Sequence, residues 1–361
     1  MDALLLTQWE NVYYMTGFMG ALPWITKDSI FAVVVGKESD PVFILPEQRL
    51  QRSMADMSAW TKDVRGYRGA GEACNVIKKS LAELGINGGK VGAELGGMMR
   101  ITMPAVAYLD LVKTSEHQFV NGGDVIWKLR MIKSQDEVDR IRRAARAASR
   151  GSERAFEEIK EGMSEREFAQ LVGRYMIEEG ADRPAWILCQ SGEKFRTRAW
   201  AGFPSERKIR RGEYVQIDYG AVYRNYVCDL NRTAFFGGQP PPAEKDHYEI
   251  YVESNRKGTE ALRPGVKCSD VFRIMAEPFE EAGLKVMNES LGHGIGLDSH
   301  EPPHFSLHDD TILEPSMVLA VEPTGSQLDV QGPVFNCEDN IAVTETGHDL
   351  LSTIPRELRI V

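Results

Sequence analysis

Four carboxylates and one imidazole, far apart in the chain, are of types that could do chemistry together: Asp218, Asp229, Glu322, Glu338 and His293. Asp218 closes the run Val215-x-Ile217, with its apolar residues alternating, and Asp229 follows Tyr226-Val227-Cys228. The β-rich segments 214–218 and 226–236 flank a turn at Tyr223-Arg224-Asn225. The two aspartates lie about equally far from it, so they are expected as cross-strand neighbours. Side by side among apolar residues they would repel and lose hydration unless a cation, a shared proton or an arginine compensates, and a cation is the simplest answer. Glu322 ends the run Met317 to Val321, Glu338 stands just before Ile341 to Thr344, and His293 sits in Gly292-His293-Gly294-Ile295-Gly296. Glycines there let backbone come close to the imidazole. This ligand set suits a pair of divalent ions such as manganese, cobalt, iron or zinc, bridged by carboxylates and water. Four negative charges against four positive leave such a centre near neutral. It would generate hydroxide near neutral pH and polarise a carbonyl, which points to hydrolysis of an amide-type bond.

The elements that must position these residues show an internal duplication. Gly162, Glu167-Phe168 and Gly180 recur as Gly265, Asp270-Val271 and Gly283, an offset of 103. The segment ending in Asp218 and the one ending in Glu322 repeat at an offset of 104. Two helix-then-sheet halves with a carboxylate at the same place in each predict a pseudo-twofold domain whose acidic residues meet near the axis. Upstream, Ser134 to Glu137 and Ser164 to Glu167 are capping boxes. The first opens a helix running towards Ile159, and the second opens one with Phe168, Leu171, Tyr175 and Met176 on one face and Gly180 as its stop. The first 125 or so residues alternate β-rich runs (3–7, 30–35, 42–45 and 90–95) with a helical stretch over 74–84, an α/β pattern.

Composition narrows the function. The 361 residues suffice for two domains, and 43 Lys plus Arg against 53 Asp plus Glu give a net charge of −10, which argues against nucleic acid as partner. The basic run Arg207, Lys208, Arg210, Arg211 reads as a solvated turn. No apolar run approaches the ~20 residues that span a bilayer, and Met1-Asp2 opens neither a basic nor an apolar leader, so the expected location is cytoplasmic. The five cysteines are odd in number and widely spaced, as for reduced thiols. Gly292-x-Gly294-x-Gly296 is not a dinucleotide fingerprint, and no phosphate loop, H-E-x-x-H or G-x-S-x-G is present. The tryptophans are spread out, and core packing is the role expected of each.

These residues resemble the creatinase/prolidase/methionine aminopeptidase family. The stretch Asp218-Tyr219-Gly220 to Asp229-Leu230-Asn231-Arg232-Thr233 looks like the family's first metal-binding hairpin, and 292–301 looks like its histidine loop. Val321-Glu322-Pro323 and Glu338-Asp339 look like its glutamate stations. The segments 11–18 and 129–134 resemble the two-domain, prolidase-like branch. The resemblance implies an α/β creatinase-like N-terminal domain over 1–128, then an α+β pita-bread catalytic domain with pseudo-twofold symmetry over 129–361. It implies that Asp218 and Asp229 bind one ion and share the other, that Glu338 bridges, and that His293 and Glu322 complete the second ion. Glu322 would also be the general base, and His300 would hydrogen-bond the substrate carbonyl or the tetrahedral intermediate.

Two positions depart from the family pattern and bear on substrate binding. Ala201 stands where peptidases and creatinase usually carry a His, and Asn336 stands where proline-specific members commonly have an Arg. Prolidase-like cleavage of a small peptide or small-molecule amide is the leading expectation. A relative acting on a non-peptide C–N bond or as a lyase on an osmolyte, and an inactive binding module, are the alternatives. Kinship with the prolidase-like branch further implies a homodimer, with Trp24 a candidate contact. The chain begins almost directly on its first strand, without the leading helix that relatives often have, which leaves room for an upstream segment.

Overall fold

Short runs of Val, Ile, Leu and Ala near the N-terminus pair into a six-stranded mixed sheet of order β4-β3-β2-β1-β5-β6. Its strands are β1 (Ala3–Leu6), β2 (Ala32–Gly36), β3 (Val42–Pro46), β4 (Asp63–Tyr67), β5 (Lys90–Ala93) and β6 (Gln118–Asn121). The computed structural model describes residues 1–18, 29–48, 61–192, 195, 202–286, 289–323, 325–326 and 333–361. The chain divides into two units, Met1–Leu129 and Arg130–Val361. In the first, α2 (Ala70–Glu83) and α3 (Ala105–Thr114) bury Ile77, Leu81 and Leu111 against Leu5, Val34 and Ile44 of the sheet. The expected α/β pattern is present, together with a helix the sequence did not announce, α1 (Trp9–Thr16). No side chain at its own N-terminus caps it; the Glu94 carboxylate, from the end of β5, accepts from the Thr7 and Gln8 amides at 2.7 and 2.9 Å. A further helix, α4 (Gly123–Met131), follows β6.

The second unit opens with α5 (Gln135–Glu157) and α6 (Glu165–Glu178), each started by the capping box read from sequence. Next come β7 (Arg183–Ser191), β8 (Glu213–Tyr223), β9 (Tyr226–Val227), β10 (Leu230–Phe236), α7 (Pro242–Ala261) and α8 (Cys268–Glu281). The remaining strands are β11 (Lys285–Val286), β12 (Ser290–Gly294), β13 (Glu301–Ser306), β14 (Val318–Val321), β15 (Gly325–Ser326), β16 (Asp339–Val343), β17 (His348–Leu350) and β18 (Arg359–Ile360). One sheet runs β18-β10-β8-β7 with β9 on β8, and the other runs β13-β12-β14-β16-β17. They meet where the Glu338 amide donates to the Asn231 carbonyl at 3.2 Å.

The duplication extends to single hydrogen bonds. The Gly162 amide donates to the Ile209 carbonyl at 3.0 Å and the Gly265 amide to that of Leu313 at 2.9 Å, and the bridges Ser164↔Lys208 and Lys267↔Ile312 occupy matching places. Each half therefore ties the entry of its helix to the approach of its strand by the same device. The basic run is a solvated turn at Lys208, Arg210 and Arg211, which are exposed, but not at Arg207, which is half-buried. Arg207 pairs with Glu213 at 2.5 Å and donates to Ser191 Oγ, because the turn folds back over the start of β8.

Candidate metal centre

Strand register places Asp218. In β8 it pairs with Asn231 of β10, not with Asp229, and this corrects the expected pairing. The hairpin register continues from Tyr223↔Tyr226 through Leu230↔Tyr219, so Asp229 falls two residues short of the position opposite Asp218. It lies in the break between β9 and β10, diagonal to Asp218 on the same face. Its amide donates to Asn340 Oδ1 at 2.9 Å, which fixes the break.

The other three residues come from the second sheet. His293 lies in β12, opposite Ala320 of β14 and His304 of β13, Glu322 follows β14, and Glu338 precedes β16. His293 Nε2 is 3.9 Å from Asp229 Oδ2, 3.7 Å from Glu322 Oε2 and 3.9 Å from Glu338 Oε1. Asp218 is held from both sides: Trp186 Nε1 donates to Oδ1 at 2.7 Å and Asn231 Nδ2 to Oδ2 at 3.2 Å. His300 stacks on His293, ring centroids 3.9 Å apart, and faces a cavity of about 490 Å³ whose wall includes Trp186, Leu188, Ser290 and His304.

The electrostatics call for a cation. Burial, then repulsion from Asp218 and Glu322, pushes the Asp229 carboxyl well above its ordinary range. Glu338 is raised by burial and then by Asp229, and Glu322 by burial and then by Asp218. Burial, and secondarily His300, brings His293 down to about 3, so its ring is neutral. With Nδ1 against the Gly294 carbonyl at 3.0 Å, that nitrogen carries the proton, and Nε2 offers a lone pair. Nε2 and both oxygens of Glu338 are buried without a hydrogen-bond partner. A lone pair aimed at mutually repelling buried carboxylates, with no donor between them, is an arrangement that divalent cations both coordinate and neutralise, whereas water supplies donors but no compensating charge. The residues present therefore fit the metal expectation.

Of the substrate positions, Asn336 is buried and does not line the cavity; its Nδ2 donates to Glu322 Oε1 at 3.0 Å. Ala201 and Trp24 lie outside the described residues. Sequence reasoning missed Trp186, taken for core, and also Asn340 and His304. A signal for Trp186 was available in Gly220, a glycine inside a strand two residues after Asp218. A Cβ there would stand 2.7 Å from the Trp186 ring.

Comparison with known proteins identifies the family. Residues 139–345 match the model of metallopeptidase family M24, and residues 1–132 match the creatinase/prolidase N-terminal domain. An Xaa-Pro dipeptidase of Pyrococcus horikoshii is 37% identical over 248 residues, covering 68% of this chain and 69% of its own length. The structure of an Xaa-Pro dipeptidase from Bacillus anthracis superposes with a TM-score of 0.85 at 27% identity, covering 100% of this chain and 95% of that one. That of an X-Pro aminopeptidase from Thermotoga maritima gives 0.82 at 25% identity, covering 100% and 96%. With His293, Glu322 and Glu338 drawn together closely enough to hold a metal ion, the chain belongs to metallopeptidase family M24 and is a metal-dependent peptidase of the prolidase/aminopeptidase P kind.

Proposed function

We propose that the protein cleaves Xaa-Pro bonds in dipeptides or short peptides, using two divalent ions held by Asp218, Asp229, His293, Glu322 and Glu338. The observation that carries this reading is His293 Nε2 within 3.7 to 3.9 Å of three carboxylates. When bound, the ions supply Lewis acidity, polarising the scissile carbonyl and making water a competent nucleophile at neutral pH. The chain's own residues do the rest. Glu322, with Oε1 held by Asn336, accepts the proton of the attacking water through its other oxygen and returns it to the departing nitrogen. His300, kept neutral by burial, donates a ring N–H to the carbonyl oxygen as negative charge develops there. Trp186 and Leu188 give the cavity an apolar wall against which a proline ring would lie.

One observation favours a second substrate class. The Asn336 amide is neutral and already occupied by Glu322, so a substrate's terminal carboxylate gains nothing there. Longer Xaa-Pro peptides and small uncharged amides therefore belong in the assay beside dipeptides. Manganese- or cobalt-loaded protein is expected to turn over at least one of these classes, and Asp229→Ala to abolish turnover. If the loaded parent turns over none of them, the proposal is lost. We also propose a homodimer, to be checked by light scattering at micromolar concentration, and a cytoplasmic location, in keeping with five buried cysteines and no disulfide among the described residues.

A further inference from the structure

Glu322 and Glu338 create a local problem for the sheet that holds them. The last pair of the β14–β16 ladder is Val321↔Asp339, so the next position sets Glu322 opposite Glu338, two like charges across a strand pair. At that point the carbonyls of Val321 and Cys337 are taken over by a side chain from a helix. Asn255, in α7 and fully buried, donates Nδ2 to the Val321 carbonyl at 2.9 Å and to the Cys337 carbonyl at 2.7 Å. Each acceptor belongs to the residue immediately before one of the glutamates.

The orientation of this amide is determined by its neighbours. Carbonyls only accept, so the NH2 group must face them, and Oδ1 then faces the Thr259 hydroxyl at 3.4 Å. Thr259 Oγ1 accepts in turn from Arg356 at 3.1 Å, and Arg356 Nε donates to Asp339 at 2.6 Å. The short reach of an asparagine requires α7 to lie close to β14, and Gly258 provides for it. A Cβ on Gly258 would stand 2.6 Å from Met275 and 3.1 Å from Val321.

We propose that Asn255 is a positioning residue: by pinning the backbone before Glu322 and before Glu338 with one amide, it fixes the separation at which the two carboxylates share metal. This rests on the metal reading above. It goes further in assigning the geometry of the glutamate pair to a residue in neither sheet and outside the cavity.

The test measures Co²⁺ affinity of the full chain by competition with a chelator, the visible absorption of the bound cobalt, and thermal unfolding of the metal-free protein. Asn255→Leu and Asn255→Asp are expected to bind cobalt 10- to 100-fold more weakly, the usual cost of losing a group that orients a ligand, with altered absorption. Asn255→Ser, which keeps one donor, is expected between them and the parent, and serves if the larger changes prevent folding. Gly258→Ala is expected to weaken binding in the same direction. A core control, Val172→Ala in α6, is expected to lower the unfolding temperature and leave cobalt affinity within twofold. If the Asn255 variants also bind within twofold of the parent with unchanged spectra, Asn255 only satisfies buried carbonyls and the proposal is overturned. If the parent itself takes up no cobalt, the metal reading fails and takes this inference with it.

Discussion

Asp229 shows how single residues here trade stability for function. Its carboxylate is fully buried, near Asp218 and Glu322, and raised in pKa by burial and by both of them. Without metal, that charge opposes folding. Asp229→Asn keeps the shape and the backbone bond to Asn340, and it places an NH2 among acceptors. The metal-free variant is therefore expected to be more stable than the metal-free parent, by on the order of 1–3 kcal/mol, while binding no metal. Urea unfolding of both chains in chelator measures this, and an equal or lower midpoint for the variant would sink the idea. The same residue shows what the sequence disclosed. Types and spacing were enough to nominate all five ligand candidates, because few other residues can meet divalent ions. The partner opposite Asp218 was misjudged by two positions, since the turn is the pair Arg224-Asn225, centred one residue later than the midpoint between the aspartates, and a one-residue shift of the turn moves each cross-strand partner by two. Asn340 and Asn255 could not be nominated, because they orient their partners from distant segments and belong to no motif, whereas Trp186 left only the indirect trace of Gly220.

At the scale of elements, the offset of 103 to 104 was legible because each half must start its helix and approach its strand in the same way. What the sequence concealed were elements whose ends are satisfied from far away, as α1 is by Glu94. The glycines around His293 test how strictly an element sets the site. A Cβ on Gly294 would stand 2.3 Å from the Pro302 carbonyl oxygen, backbone that cannot swing aside as a side chain can. Gly294→Ala is expected to push β12 from β13, cost roughly 1–3 kcal/mol and weaken metal binding, because His293 is carried along. Ser164→Ala, which removes the capping hydroxyl of α6, is expected to cost about 1 kcal/mol and leave metal affinity alone. Calorimetry with metal titration separates the two. Equal metal affinity in both variants would mean that the hairpin tolerates displacement without consequence for the site.

At the scale of the catalytic unit as a whole, its first residues reach back to its histidine loop through a buried charge cluster. Glu301 is fully buried, pairs with Arg130, and accepts from Lys133 at 3.3 Å and from the Leu297 and Asp298 amides at 2.9 and 3.1 Å. Burial alone would push its carboxyl up, but Arg130 and then Lys133 outweigh burial and hold it at about 2. Because the folded value lies below the unfolded one, the Glu301 carboxylate contributes its stability fully above pH ~4.5 and loses it as pH falls towards 2, while burial lowers Lys133 despite Glu301 and offsets part of that gain. Removing one side leaves the others buried and uncompensated, so Glu301→Gln at neutral pH is expected to cost about 3–5 kcal/mol. Adding Arg130→Met and Lys133→Met to Glu301→Gln should recover part of that loss, since the stranded positive charges go too. Urea unfolding at pH 7 and pH 3 checks both parts: the gap between parent and Glu301→Gln should be large at pH 7 and shrink at pH 3. A gap independent of pH would show that shape rather than charge binds the start of the unit to the loop that carries His300.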